Sequence, residues 1–524
     1  MIRGRSGFFH PIPAALALGT LMSSAIAVHA QSGEAVAVRG ASGSVRQAAR
    51  VDTMALRAHT YFLSHDRLGG RGGGSDGERT AAAYIASQLR QIGLDGAAPD
   101  GGYHQPVPLR ALRIEPGTRL VVRRGTDSLV FRHGRDFVVG TGGPAAFRDF
   151  DGDVAFLGSP RDPDHGEALA GRVVALGSAL GPDALDAIPV WHAAGVTGTI
   201  QLVPDAAQFQ GIARSRGAER LYVDAPVDDP VWQAPVPSLV AGPALTAALL
   251  QGATLPESAL RGAIVPPIDL GRHVSVRIVS LERTVSASNV AGVLPGADPA
   301  LRDEYVVFTA HYDHLGIDDA AAAGEDSIYN GFSDNAAGVA MLLAIAREMR
   351  DDPPARSVLF LFLCAEERGL LGASFAATEP VVPLDRIAAL INLDAGAPPA
   401  PPVSWRIAGG EGAALGRLAR DIAASRGWTA ALSAASPNSD YWPFLRRGVP
   451  AIFLIPGNEW EGVTAEQRDA LRQRWDRYHR ADDEWAADFP FVGIARYAEF
   501  ALLVGRAAAD PDWAPRRDAE PLQR

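Results

Sequence analysis

The sequence predicts an α/β protein: a mixed, mostly parallel sheet with helices on both faces, interrupted by an inserted small β-rich domain. Three observations support this. Beyond Val274, short apolar runs of strand length alternate with amphipathic helical stretches. Between residues 147 and 268 the texture changes to short strands and turns, bounded on both sides by segments containing Pro and Gly. Histidines and carboxylates recur where predicted strands end, the edge at which open α/β sheets hold their ligands.

Residues 1–30 read as a secretory signal. Arg3 and Arg5 supply the positive start, Ala14 to Met22 a short apolar stretch, and Val28-His29-Ala30 a small-x-small cleavage site before Gln31. The apolar run is shorter than the roughly 20 residues a membrane span needs. Residues 31–50, rich in Gly, Ala, Ser and Gln, form a flexible lead-in. The first part of the main domain covers residues 51–146. In it, Ser75-Asp76-Gly77-Glu78 reads as a capping box opening a helix to about Gln91, with Gly93 as its stop. The glycine-rich stretch from Gly69 to Gly74 reads as a loop, since no strand precedes it and no lysine follows.

The block 147–268 holds the strand candidates Asp153-Val154-Ala155-Phe156-Leu157, Arg172-Val173-Val174-Ala175-Leu176 and Thr199-Ile200-Gln201-Leu202-Val203, without clustered His, Asp and Glu of its own. The second part of the main domain, residues 269–510, has predicted strands around Tyr305-Val306-Val307-Phe308, at 357–364, 387–392 and 449–455. A helix over 336–349 carries Val339, Leu342, Leu343, Ala346 and Met349 on one face, and another closes the domain over 491–508. A tail, 511–524, mixes Pro with charge.

Composition narrows the chemistry. The 524-residue chain is 47% hydrophobic and 21% charged, ordinary for a globular protein with a sizeable core. All 49 basic residues are arginine, which rules out a Schiff-base lysine, a pyridoxal-phosphate lysine and a phosphate-loop lysine. Cleaving the leader removes two arginines and no acid, shifting the net charge from −11 to −13 and arguing against nucleic acid or anionic membrane as a partner. Cys364, the single cysteine, follows a buried-strand run and reads as a structural thiol.

His311, Asp334, Glu367, Asp394 and His479 are spread through the second half, with Glu366 directly before Glu367. Two imidazoles, three carboxylates and a spare carboxylate match what two divalent cations and one general base require. The pattern predicts hydrolysis by metal-activated water. Trp442, Trp460 and Trp475 are candidate walls of an apolar substrate pocket.

The motifs around these residues resemble the secreted dizinc aminopeptidases, metallopeptidases with co-catalytic zinc ions and a zinc exopeptidase fold. They are Thr309-Ala310-His311-Tyr312-Asp313-His314-Leu315-Gly316, Asn330-Gly331-Phe332-Ser333-Asp334-Asn335-Ala336-Ala337-Gly338, Cys364-Ala365-Glu366-Glu367-Arg368-Gly369, Asn392-Leu393-Asp394 and Tyr478-His479. The resemblance extends to Arg67-Leu68-Gly69-Gly70-Arg71 and to Ser439-Asp440-Tyr441-Trp442-Pro443-Phe444. The middle block resembles a protease-associated domain, mainly over the run from Ala193 to Val203.

The resemblance implies two Zn2+ per chain, one held by His311 and Asp394, the other by Glu367 and His479, with Asp334 bridging. It implies Glu366 as general base and Asp313 orienting the His311 imidazole. Asp482 and Asp483 could each support His479 and are not separated by sequence. Ser333 stands where many relatives have an acid. Tyr441 stands where many have His, and is either a packed aromatic or a hydroxyl contacting the oxyanion or substrate. The implied activity is exported removal of N-terminal residues from peptides with a free N-terminus, in the periplasm or outside the cell, without nucleic acid or membrane insertion. The alternatives are a dipeptidase, a carboxypeptidase or a glutaminyl cyclase on the same fold, or a receptor-like binding protein.

Overall fold

The computed structural model describes residues 51–140, 147–159, 166–177, 182–216, 219–226, 236–260, 263–318 and 321–513. The expected signal segment, the lead-in 31–50 and most of the tail lie outside the described residues. Among the described residues no helix is long and apolar enough to cross a membrane.

The site is built on a mixed sheet. Its central strand, Tyr305–His311, pairs in parallel with Ser357–Leu363 on one side and Ile387–Asn392 on the other. Ile387–Asn392 continues in parallel to Ala451–Pro456, against which Ser404–Ala408 runs antiparallel. Beyond Ser357–Leu363 the pairings become antiparallel, through the long strands Ser280–Leu294 and His104–Ile114. The parallel strands therefore form the centre of the sheet, and their carboxyl ends share one edge.

Strands buried on both faces read as continuous apolar runs, and alternation sorts them by layer. Val306, Phe308 and Ala310, with Val358, Phe360 and Phe362, join one core cluster. Val307, with Leu359, Leu361 and Leu363, joins another on the opposite face. The first face is covered by helices Thr53–Leu63, Asp76–Ile92, Ala337–Arg350 and Val492–Ala508. The second is covered by Leu371–Thr378 and Tyr441–Arg446. Helix Ala337–Arg350 buries Val339, Leu342, Leu343, Ala346 and Met349, the face its spacing marks out. Cys364 is buried at the end of its strand, as expected of a structural thiol.

A second sheet has the strand order Phe137–Val139, Ser238–Ala241, Gly198–Leu202, Val173–Leu176, Phe150–Leu157, Ile268–Arg277, Arg119–Arg124, Asp127–Arg132. It is wider than the span 147–268 expected for the insert, taking in the hairpin from Arg119 and continuing to Arg277. The reason is pairing: Arg119–Arg124 lies antiparallel to Ile268–Arg277, so chain entry and exit belong to the same sheet. Its middle strands pair in parallel and alternate with helices such as Pro182–Ala193, so this part is α/β and not simply β-rich. One strand of the block, Glu219–Val223, leaves it altogether and pairs with His104–Ile114 at the edge of the main sheet.

Helix Asp76–Ile92 begins at Ser75, whose hydroxyl accepts from the Glu78 amide, and ends at Gly93 in the left-handed region. Before it, Gly70 (φ +64°) turns where a Cβ would lie 2.4 Å from the Gly316 oxygen and 2.5 Å from the Tyr329 oxygen, so only glycine fits.

Candidate metal centre

The parallel strands deliver their functional groups to one edge. His311 is the last residue of its strand. After Leu363 the chain turns through Ala365, held at φ +51°, to Glu366 and Glu367. A left-handed alanine costs about 1–2 kcal/mol, so its surroundings must hold it there. Ile387–Asn392 leads directly to Asp394. Asp334 lies in the short turn Phe332–Ala336 before helix Ala337–Arg350. His479 follows helix Ala465–Trp475.

These side chains form two groups. His311, Glu366 and Asp394 have ligand-type atoms within 4.8 Å of one another, as do His314, Asp334, Glu367 and His479. Asp334 joins them, with Oδ1 3.1 Å from His311 Nε2 and Oδ2 3.0 Å from His479 Nε2. The five residues expected to ligate metal, and the expected base, thus lie together.

Hydrogen-bond chemistry tests whether cations fit. His311 Nδ1 is 3.1 Å from the Asp313 carbonyl oxygen, which can only accept, so Nδ1 carries the hydrogen. In the neutral ring Nε2 then turns a lone pair toward Asp394 Oδ1 at 2.8 Å and Asp334 Oδ1 at 3.1 Å. Three electron-rich atoms at such distances need a cation between them, a second ring proton or a metal ion. Burial alone would lower the His311 pKa, but Asp394 and Glu366 outweigh it and raise it well above the ordinary value. His479 Nε2 likewise faces Asp334 Oδ2 at 3.0 Å and Glu367 Oε2 at 3.2 Å. Burial opposes its protonation, yet those two carboxylates push its pKa up to about 10. A proton lies well toward one acceptor only, whereas a divalent cation engages every donor. Imidazole nitrogen with carboxylate oxygen is a donor set that suits zinc.

A chain of oriented donors supports Asp394. Thr309 Oγ1 donates to Asn392 Oδ1 (2.7 Å), Asn392 Nδ2 donates to Ser439 Oγ (2.6 Å), and Ser439 Oγ donates to Asp394 Oδ2. Asp313 divides its work. Its carbonyl orients His311, while its carboxylate accepts from the Glu366 amide at 2.9 Å and the Glu367 amide at 3.2 Å. The orientation expected from its carboxylate, 3.7 Å from Nδ1, therefore comes mainly from the main chain.

The structure separates Asp482 from Asp483. Asp482 is exposed and pairs with Arg480 and Arg477. Asp483 is buried and accepts from the Ser333 amide and hydroxyl and from the Asp334 amide. It thus fixes the turn carrying Asp334, and the absence of an acid at Ser333 becomes intelligible, because Ser333 acts as donor to this acid. Asp483→Ala is expected to weaken metal binding by about 10–100-fold. Asp482→Ala should leave it unchanged. Competition against a chromogenic chelator measures both.

Sequence reasoning missed three groups. His314 is fully buried, with Nδ1 2.7 Å from Glu367 Oε1 and Nε2 without a hydrogen-bond partner. It holds one Glu367 oxygen while the other faces His479. Its place inside a strand-exit motif was visible; its inward turn was not, because the His314 amide is drawn back to the Arg71 carbonyl, distant in sequence. Asp440 is buried with both carboxylate oxygens lacking hydrogen-bond partners. Burial pushes its carboxyl up strongly, against the attraction of His311. Glu78 is the third.

Tyr441 is a correction. It is fully buried, and its hydroxyl accepts from the Ser436 amide (2.7 Å) and donates to the Ser436 carbonyl (2.9 Å), so it pins a loop and does not face oxyanion or substrate. Trp460 and Trp475 do line a cavity of about 230 Å³ beside Asp334 and Asp394, together with Tyr478, Pro456 and Arg472. Trp442 is not part of that lining.

The sheet edge, the paired donor groups and the free carboxylate define a metallopeptidase. Residues 289–501 match the model of peptidase family M28. The chain is similar in structure to an aminopeptidase from Aneurinibacillus sp. strain AM-1, at 18% identity over 88% of this chain and 95% of that one, with a TM-score of 0.54. It is also similar to a zinc aminopeptidase from Bacillus subtilis, at 17% identity over 88% and 97% of the two chains and a TM-score of 0.47. A peptidase M28 precursor from Shewanella amazonensis SB2B gives 16% identity over 88% and 96%, with a TM-score of 0.44. The likeness to the Aneurinibacillus enzyme, at 18% identity, speaks to the fold. No curated protein matches the chain.

Proposed function

We propose that the protein is an exported aminopeptidase that holds two Zn2+ and removes N-terminal residues from peptides. The observation that carries this reading is Asp334 standing between two donor groups, one oxygen toward each, with the Glu366 carboxyl beside them. His311 and Asp394 would hold one ion, Glu367 and His479 the other, and Asp334 both. When bound, such a pair supplies Lewis-acid polarisation of the peptide carbonyl and makes water more acidic.

The chain's own groups do the rest. Glu366 is a carboxyl whose pKa burial raises well above its usual value, with Asp394, Asp440 and Glu367 adding to the rise against the pull of His311. A base of raised pKa takes the proton from the attacking water and returns it to the departing amine. Asp313 holds the Glu366 and Glu367 amides, keeping base and ligand in register. The adjoining cavity, about 230 Å³ between Trp460, Trp475 and Tyr478, has room for one substrate side chain. The leader at 1–30 supports export.

Purified zinc-loaded protein is expected to release arylamine from free amino-acid arylamides and to leave N-acetylated ones intact. Dialysis against chelator should abolish turnover, and zinc should restore it. Activity that survives exhaustive chelation ends this reading. Mass spectrometry of a peptide library decides between reactions: loss of the first residue supports the proposal, whereas loss of the last residue or of ammonia replaces it.

A further inference from the structure

We propose that Glu78 is a positioning residue for the base, fixing the backbone on which Glu366 is mounted. The inference rests on the functional reading above for the role of Glu366, and on geometry alone for the contact.

Sequence places Glu78 in a capping box, reaching back to its own helix start. The structure shows something else. Ser75 caps the helix alone, by accepting from the Glu78 amide. The Glu78 side chain is fully buried, and its two oxygens part company: Oε2 accepts from the Gly74 amide at 2.6 Å, and Oε1 accepts from the Ala365 amide at 3.1 Å, 287 residues away in sequence.

Ala365 is the left-handed residue directly before Glu366. Its amide is anchored by Glu78, and the next two amides, of Glu366 and Glu367, are anchored by Asp313. Three successive N–H groups therefore end on two buried carboxyl groups, and the direction of the Glu366 side chain follows from that grip. A helix cap does not account for the arrangement, since the cap is already complete and a surface glutamate would serve it as well. Burial next to Asp313 disfavours the charge and raises the Glu78 pKa to about 8. An acid kept in such surroundings, with one oxygen committed to the loop of the base, matches a positioning role.

The test uses full-length, zinc-loaded enzyme with Glu78→Ala, Glu78→Gln and, as control, Ser75→Ala. Three quantities are read: kcat and KM separately, zinc stoichiometry, and hydrogen–deuterium exchange of the segment containing Ala365 to Arg368. Glu78→Ala is expected to lower kcat by about 10²-fold, the effect of a small misplacement of a reacting group, with KM and zinc content unchanged. Exchange at the Ala365 amide should quicken. Glu78→Gln keeps a single oxygen acceptor for two amides, so its kcat should fall by about tenfold. Ser75→Ala should move neither kcat nor the exchange at Ala365.

Retention of wild-type kcat in Glu78→Ala overturns the proposal. So does a loss matched by zinc loss, or one reproduced by Ser75→Ala. If Glu78→Ala does not fold, Glu78→Gln decides by the same criteria. Should the wild-type protein release no N-terminal residue, the functional reading fails, while the exchange measurement still judges the contact.

Discussion

Glu366→Gln is expected to lower turnover by about 10³–10⁴-fold while the protein stays folded and keeps its zinc. The substitution preserves shape and removes the capacity to take a proton. The Glu366 main chain stays where it is, because its amide is held by Asp313, and that bond does not involve the side chain. The metal donors also remain, with His311, Asp394 and Asp334 on one side and Glu367, His479 and Asp334 on the other. A second consequence follows from electrostatics. Burial raises the Glu366 pKa, and the acids Asp394, Asp440 and Glu367 add to the rise against the pull of His311. Removing one acid from that company relieves like-charge repulsion, so metal-free Glu366→Gln should melt at a higher temperature than metal-free wild type. Rate, zinc content and the metal-free melting curve together distinguish a base from a ligand. A ligand's loss would empty a site, and a residue of no consequence would leave the rate within tenfold of wild type.

What could be read in the sequence, and what could not, follows from the range of the interactions. Strand and helix identities are set by local periodicity, which is why Tyr305–His311, Ser357–Leu363 and Ile387–Asn392 emerge almost to the residue. His311, Glu367 and Asp394 were legible for the same reason: each stands at or just past a strand end, and parallel strands bring such ends to one edge. The limits of the second sheet were not legible. They depend on pairing between Arg119–Arg124 and Ile268–Arg277, and the transfer of Glu219–Val223 to the main sheet is a choice of partner that no local pattern records. The same holds around the site. Asp482 and Asp483 are neighbours of equal chemistry, and only the turn at Ser333 tells them apart. Glu78 carries a sound local explanation, the capping box, yet only one of its oxygens turns back to the helix start, at Gly74, while the other makes a contact 287 residues away. Tyr441 is the converse case: its motif position left chemistry and packing both open, and packing with two loop bonds to Ser436 absorbs the side chain.

Arg71 carries the largest expected effect on stability, and its role joins the N-terminal segment to the site. The residue is buried, itself in the left-handed region, and its guanidinium donates only to main-chain carbonyls: Tyr312 at 2.8 Å, Asn330 at 2.6 Å, Gly331 at 2.9 Å, and Leu63. Tyr312 lies between His311 and Asp313, and Gly331 stands three residues before Asp334, so one planar fork ties both donor loops to the same point. Burial lowers its pKa to about 10, and Asp313, Asp334, Asp483 and Glu367 resist that fall, so it stays charged at neutral pH as a built-in counter-cation to the acids of the site. Arg71→Met removes the charge and leaves four carbonyls without their donor. Breaking one side of such a buried arrangement typically costs about 3–5 kcal/mol, a large part of the stability of a typical domain. Arg71→Lys should recover little, since an ammonium has three donors and no fork. The loss should be greatest in chelator and smaller in excess zinc. Cations that bind the folded state stabilise it by mass action and also neutralise the carboxylates that Arg71 no longer faces. Urea unfolding of the three proteins with and without zinc measures this directly. An Arg71→Met protein within about 0.5 kcal/mol of wild type, the range of ordinary surface substitutions, would show that the two loops hold their places without the clamp.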